Sequence, residues 1–131
     1  ARYKTIEEDI ELNDEIEITT ELEVHEIPSE KFHVTIFISN YLNDNIITLS
    51  HYYANKKLHV GNNIVQCLIP NKFFNVGTFN ISLLLIKDFE VLVYLPSLIR
   101  FVIFNEKKEI GEWMFNEGGY IYPQVFEWNI T

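Results

Sequence analysis

The chain has 131 residues, 47% of them hydrophobic and 15% aromatic, and a net charge of −9. That length suits one domain with a two-layer core, and that apolar content excludes disorder. Residues 1–31 hold 11 acidic and 3 basic residues and residues 32–131 hold 8 and 7; an acidic end on a near-neutral body offers no basic patch, which argues against nucleic acid or anionic lipid as partners.

Isoleucine, phenylalanine, valine and tyrosine are abundant and alanine is nearly absent, a bias toward strands. Residues 5–14 are polar and acidic and end on the turn signal Asn13-Asp14, so residues 1–14 are a candidate linker. Residues 15–25 then alternate. Ile16, Ile18, Thr20, Leu22 and Val24 face one way, and Glu15, Glu17, Thr19, Glu21, Glu23 and His25 the other. The glutamate row reads as a solvated face that discourages edge pairing, with a cation or partner site as the alternative.

Pro28-Ser29 breaks that strand. Residues 31–53 read as a hairpin about the turn cluster 40–45. Phe32, Val34, Ile36 and Ile38 point inward on its first arm, and Ile47 and Leu49 on its second. The opposite face then carries His33, Thr35, Phe37 and Ser39 with Ile46, Thr48, Ser50 and Tyr52, and a one-residue bulge would invert this phase. Residues 54–63 are a polar connection with Lys56-Lys57, and residues 64–69 a short strand stopped by Pro70.

The stretch 73–86, FFNVGTFNISLLLI, is the expected centre of the fold. Phe79, Ile81, Leu83 and Leu85 share one face, and Asn80 and Ser82 the other. Gly77 follows a tight turn, where a positive φ would favour glycine. Strands at 89–94 and 98–104 flank Pro96, residues 113–123 form an aromatic, glycine-rich loop, and Gln124–Ile130 makes a last strand with Trp128 in the core. No segment carries a convincing 3.6-residue period. About eight strands at intervals of roughly a dozen residues give an all-β fold, an antiparallel Ig-like or jelly-roll β-sandwich.

Motifs for chemistry are sparse. The five glycines form no phosphate loop, and His25, His33, His51 and His59 are too dispersed for a metal motif. Most carboxylates lie on the exposed acidic strand, a poor place for a general acid. No enzyme, cofactor or metal is expected. Cys67 is the only cysteine, which favours a reducing compartment. No apolar run approaches 18 residues and no signal-peptide pattern opens the chain, so neither a membrane span nor an export signal is expected within it. The sequons at Asn80 and Asn129 read as chance. Seven tyrosines, two tryptophans and many asparagines exceed what an interior holds. Aromatic faces stack on sugar C–H surfaces, and amides and hydroxyls satisfy sugar hydroxyls.

Several stretches together resemble a known family. They are IELNDEIEITTELEV, FHVTIFISNYLNDNIITLS, LIPNKFFNVGTFNISLLLI, and LIRFVIFN followed by GEWMFNEGGYIYPQVFEW, with Gly111, Trp113, Gly119, Pro123 and Trp128 as punctuation. The chain resembles the C-terminal, polysaccharide-binding domain of the ATP-binding subunit of bacterial O-antigen ABC transporters, the Wzt C-terminal family. Phe79 stands where that pattern has tyrosine, and Tyr120-Ile121-Tyr122 replaces a more aliphatic pair. The resemblance implies a single non-catalytic sandwich over 1–131, placed after a nucleotide-binding domain at the cytoplasmic face of the inner membrane. Its implied partners are a bacterial polysaccharide, a second copy in a homodimer, and the transporter's membrane subunit through the N-terminal domain. The alternative is a protein-interaction or dimerisation sandwich without a glycan site. The candidate ligand platform is the outer face carrying His33, Phe37, Thr48, Tyr52, Asn80 and Ser82, with sugars stacking on Phe37 and Tyr52.

Overall fold

The computed structural model describes residues 6–26, 31–105, 119–124 and 126–130. Among these, seven strands and one 3-10 turn follow in order: β1 (Ile6–Glu11), β2 (Ile16–Val24), β3 (Phe32–Asn40), β4 (Asn45–Ser50), the turn His51–Ala54, β5 (Gly61–Ile69), β6 (Gly77–Lys87) and β7 (Glu90–Phe104). A five-stranded sheet in the order β1-β7-β6-β3-β4 packs over a two-stranded sheet, β2-β5. The fold is a β-sandwich, antiparallel throughout except that β1 joins β7 in parallel.

The period-two pattern places the core. Phe79 and Ile81 on β6, Val34, Ile36 and Ile38 on β3, and Phe101 and Ile103 on β7 are buried against Ile16 and Ile18 of β2. Leu83, Leu85, Ile47 and Leu49 are partly buried and pack against the same cluster. Phe79 and Phe101 are cross-strand partners with rings 5.2 Å apart and 18° from parallel. Phe74 closes on both at 4.9 and 5.8 Å. Such offset and edge contacts add to what burial alone contributes. On β2, Glu17, Glu21 and Glu23 are exposed, as the alternation requires.

Four expectations need correction. The acidic start is a strand over β1, not a linker. Ile10 packs on the core, Leu12 just beyond is buried, and Glu7 and Asp9 face solvent on an edge that their charges protect. The two strands around Pro96 are one 15-residue strand. A shift in the β6–β7 register opposite Ser82, with Ser97 at φ 50°, absorbs the proline as a bulge. Gly77 is not in the left-handed region: the positive-φ glycines among the described residues are Gly61 and Gly119. Finally, residues 126–130 form no strand and Trp128 is 82% exposed, so it is no core residue. Residues 119–124 are instead sewn across 72–75. Asn75 N–H donates to the Tyr120 carbonyl, Tyr122 N–H to that of Phe73, and the Gln124 amide to that of Lys72. The expected break at Pro28-Ser29 lies outside the described residues, as do Gly111, Trp113 and Gly118.

Candidate functional site

The outer face of the large sheet carries the residues that the sequence phase assigned to it. Phe37 pairs with Thr48 on β4 and Ser82 on β6, and Ser39 with Asn80. The bulge in the β3–β4 hairpin falls between Ile38 and Ser39, beyond Phe37, so it does not invert the phase.

Two of the six candidates are committed to the fold. Ser82 is 6% exposed and its Oγ accepts the Ser97 N–H at 3.0 Å, stitching the bulge around Pro96. Asn80 is 4% exposed; its Oδ1 accepts from Arg100 Nε at 3.3 Å and its amide donates to the Asn40 carbonyl. That burial also removes the Asn80 sequon from reach. Thr48 bonds the Asn45 side chain at 2.9 Å. Turning that amide lets its nitrogen donate to the Ile38 and Ile47 carbonyls while Thr48 Oγ1 donates to its oxygen, the arrangement that satisfies every group. Phe37 is half-buried in the middle of the face.

His33 and Tyr52 form an open stack at the sheet's end. Their rings lie 4.9 Å apart and 28° from parallel. Tyr52 belongs to the 3-10 turn, not to β4, and Ser50 caps that turn by accepting the Tyr52 N–H at 3.2 Å. Ser50 Oγ donates its one proton to the Val34 carbonyl at 2.8 Å. Toward His33 Nδ1, 3.2 Å away, it can only accept, and the Thr35 hydroxyl lies closer to the same nitrogen at 3.0 Å. Burial first, and the neighbouring His51 second, hold the His33 imidazole below the usual pKa of 6.5. His51 locks the turn to the sheet. Its Nε2 accepts the Val34 N–H at 2.9 Å, so its Nδ1 carries the proton and donates to the Lys56 carbonyl at 2.7 Å.

The turn borders two clefts that the sequence did not reveal. One, of about 430 Å³, is lined by Lys31, Tyr52, Tyr53, Asn55, Lys56 and Lys57. The other, of about 350 Å³, shares Lys56 and Lys57 and is also lined by His51, His59 and Asn63. A sequence signal existed: positions 45–87 contain no acidic residue but four lysines and two histidines. The pockets themselves depend on the four-residue turn, too short to leave a period in the sequence.

Among the described residues no three His, Cys, Asp or Glu side chains converge as a metal site would need. Burial pushes the Cys67 thiol up, away from the reactive thiolate. No helix among the described residues is long and apolar enough to cross a membrane.

No family model and no curated protein sequence matches the chain. Among solved structures it is similar to the crystal structure of the C-terminal domain of Wzt, with a TM-score of 0.68 at 10% identity, over 93% of this chain and 74% of that one. The resemblance read from the strand spacings and their punctuating residues therefore holds at the level of the fold: this chain has the fold of the Wzt C-terminal domain.

Proposed function

We propose that this domain is a non-catalytic carbohydrate-binding module that recognises a bacterial surface polysaccharide of O-antigen type for export by an ABC transporter. The observation that carries the reading is the fold match to the Wzt C-terminal domain. The open His33–Tyr52 stack is consistent with it, because exposed ring faces offer sugar C–H surfaces a platform, and Phe37 lies half-buried four positions along the same strand. The sugar contacts fall to Phe37, Tyr52, His33 and the Thr48 edge, while Asn80 and Ser82 hold the floor beneath them. The domain works at the cytoplasmic face of the inner membrane, on a subunit whose nucleotide-binding domain contacts the membrane component. Isothermal titration of the folded domain with the source bacterium's polysaccharide tests this. Binding at micromolar to millimolar Kd is expected, roughly 4–8 kcal/mol. Absence of binding with the protein folded would overturn it.

A second reading concerns assembly and coexists with the first. Phe126, Trp128 and Ile130 are exposed, and among the described residues the β2-β5 sheet has two strands. A homodimer in which the tail of one copy adds to the other's open sheet would bury both features.

A further inference from the structure

We propose that Tyr94 of β7 is a second stacking station for the ligand, so that the domain grips an internal run of three or more sugars and not a single terminal one. The inference rests on the carbohydrate reading and extends its site across the large sheet to β7.

The strand register fixes the face. Residues directly opposite each other on neighbouring strands point to the same side of a sheet. Thr35 of β3 pairs with Leu84 of β6, and Leu84 pairs with Tyr94 of β7. Tyr94 therefore stands on the outer face with His33, Thr35 and Phe37. Its neighbours agree with that phase: Val93 and Leu95 pair with Leu85 and Leu83, which pack on the core from the other side. The bulge around Pro96 preserves it. From the Ile81–Ile99 pair to the Leu83–Leu95 pair, β6 advances two residues and β7 four. The bulge thus takes up two residues, and an even number leaves the face unchanged.

Exposure and spacing then separate a floor from two stations. Leu84 and Thr35 are 7% and 4% exposed, whereas Tyr94 is 55% and Tyr52 42% exposed. The Thr35 hydroxyl lies 3.0 Å from His33 Nδ1, so its polar group is already engaged. The floor therefore offers a ligand little, and the rings standing at its two sides are the surfaces within reach. A tyrosine presents an apolar ring and a polar tip, which suits the alternating C–H and hydroxyl surface of a sugar. His33, on which Tyr52 stacks at 4.9 Å, pairs with Ile86 in the row two residues from that of Leu84 and Tyr94. Tyr94 is thus two strands across from His33 and two residues along, about 10 Å by about 7 Å at ordinary sheet spacings. One pyranose ring is too small to touch both stations. A run of three linked sugars reaches from one to the other, with its middle unit over the floor.

The test titrates the intact domain with size-fractionated fragments from partial hydrolysis of the surface polysaccharide of its source organism. One fraction holds one or two sugars and the other six or more. The parent is expected to bind the longer fraction about fivefold or more tightly, since only that fraction engages both stations. Tyr94→Ala is expected to remove about fivefold or more from the affinity for the longer fraction and less than twofold from that for the shorter, with Tyr94→Phe restoring the loss. The unfolding midpoint confirms that each variant is folded. Equal binding of the two fractions by the parent would overturn the inference and leave the carbohydrate reading standing. So would a folded Tyr94→Ala variant that binds the longer fraction like the parent or loses both fractions equally. Failure of every fragment, and of the intact polysaccharide, would overturn both.

Discussion

Replacing Phe79 probes how far the aromatic cluster, rather than burial alone, holds the two sheets together. Its side chain is fully buried, stacked on Phe101 at 5.2 Å and tilted against Phe74 at 4.9 Å. Phe79→Leu keeps an apolar side chain on the same face and removes the ring contacts. With two close pairs at about 0.5–1.5 kcal/mol each, the expected loss is about 1–3 kcal/mol. At this length that lowers the unfolding midpoint by roughly 4–12 °C. Phe79→Ala adds a cavity and is expected to lose about 3–5 kcal/mol. Urea unfolding followed by tryptophan fluorescence and far-ultraviolet circular dichroism gives both values, with an unchanged m-value as the check on two-state behaviour. A Phe79→Leu variant as stable as the parent would refute the claim that ring geometry matters there. A Phe79→Ala loss below about 1 kcal/mol would refute its place at the centre of the core.

Three further outcomes are expected. Ser82→Ala removes the acceptor for the Ser97 N–H and is expected to lower stability by about 1–3 kcal/mol, while affinity for glycan stays at the parent value; reduced affinity at unchanged stability would make Ser82 a ligand contact instead. His33 has a folded pKa below its unfolded 6.5, so between those two values the unfolded chain binds more protons and stability rises with pH. Its contribution is whole above pH 6.5 and is lost as pH falls below it. The midpoint is therefore expected to fall from pH 7.5 to 5.5, and less steeply in His33→Gln; equal slopes would contradict this. Sedimentation velocity at high micromolar concentration is expected to show a dimer that reverts to monomer when residues 124–131 are deleted, and a monomeric parent would sink the assembly reading.

The sequence was most legible where burial imposes a period. On β3 and β6 the residues read as inward, Val34, Ile36, Ile38, Phe79 and Ile81, lie in the core, although the outward Thr35, Ser39, Asn80, Ser82 and Leu84 are buried as well. The outer-face phase held because the hairpin bulge lies past Phe37. Legibility failed where hydrogen bonding or tertiary context decides. β1 is mostly charged and enters the sheet through its ladder to β7 with little burial, so no apolar pattern announces it. Trp128 lies in a stretch that alternates like a strand, yet nothing among the described residues covers it. Pro96 marks a break in sequence, whereas Ser82 and the register shift let one strand run through it. The lysine cleft joins Lys31 to residues more than twenty positions away, a proximity that no local pattern encodes. Asn80 and Ser82 show the same limit from the other side: alternation told which face they occupy, but not that their polar atoms are already used.

The most direct measurement is a two-dimensional amide NMR titration of the isotope-labelled domain with the surface polysaccharide of its source organism. Saturable shifts are expected to cluster at His33, Phe37, Thr48 and residues 51–57. Phe37→Ala and Tyr52→Ala are each expected to weaken binding by about 1 kcal/mol or more while remaining folded. A titration that moves no resonance, or variants that bind like the folded parent with shifts mapping elsewhere, would contradict the claim that this face of the sandwich is the glycan site.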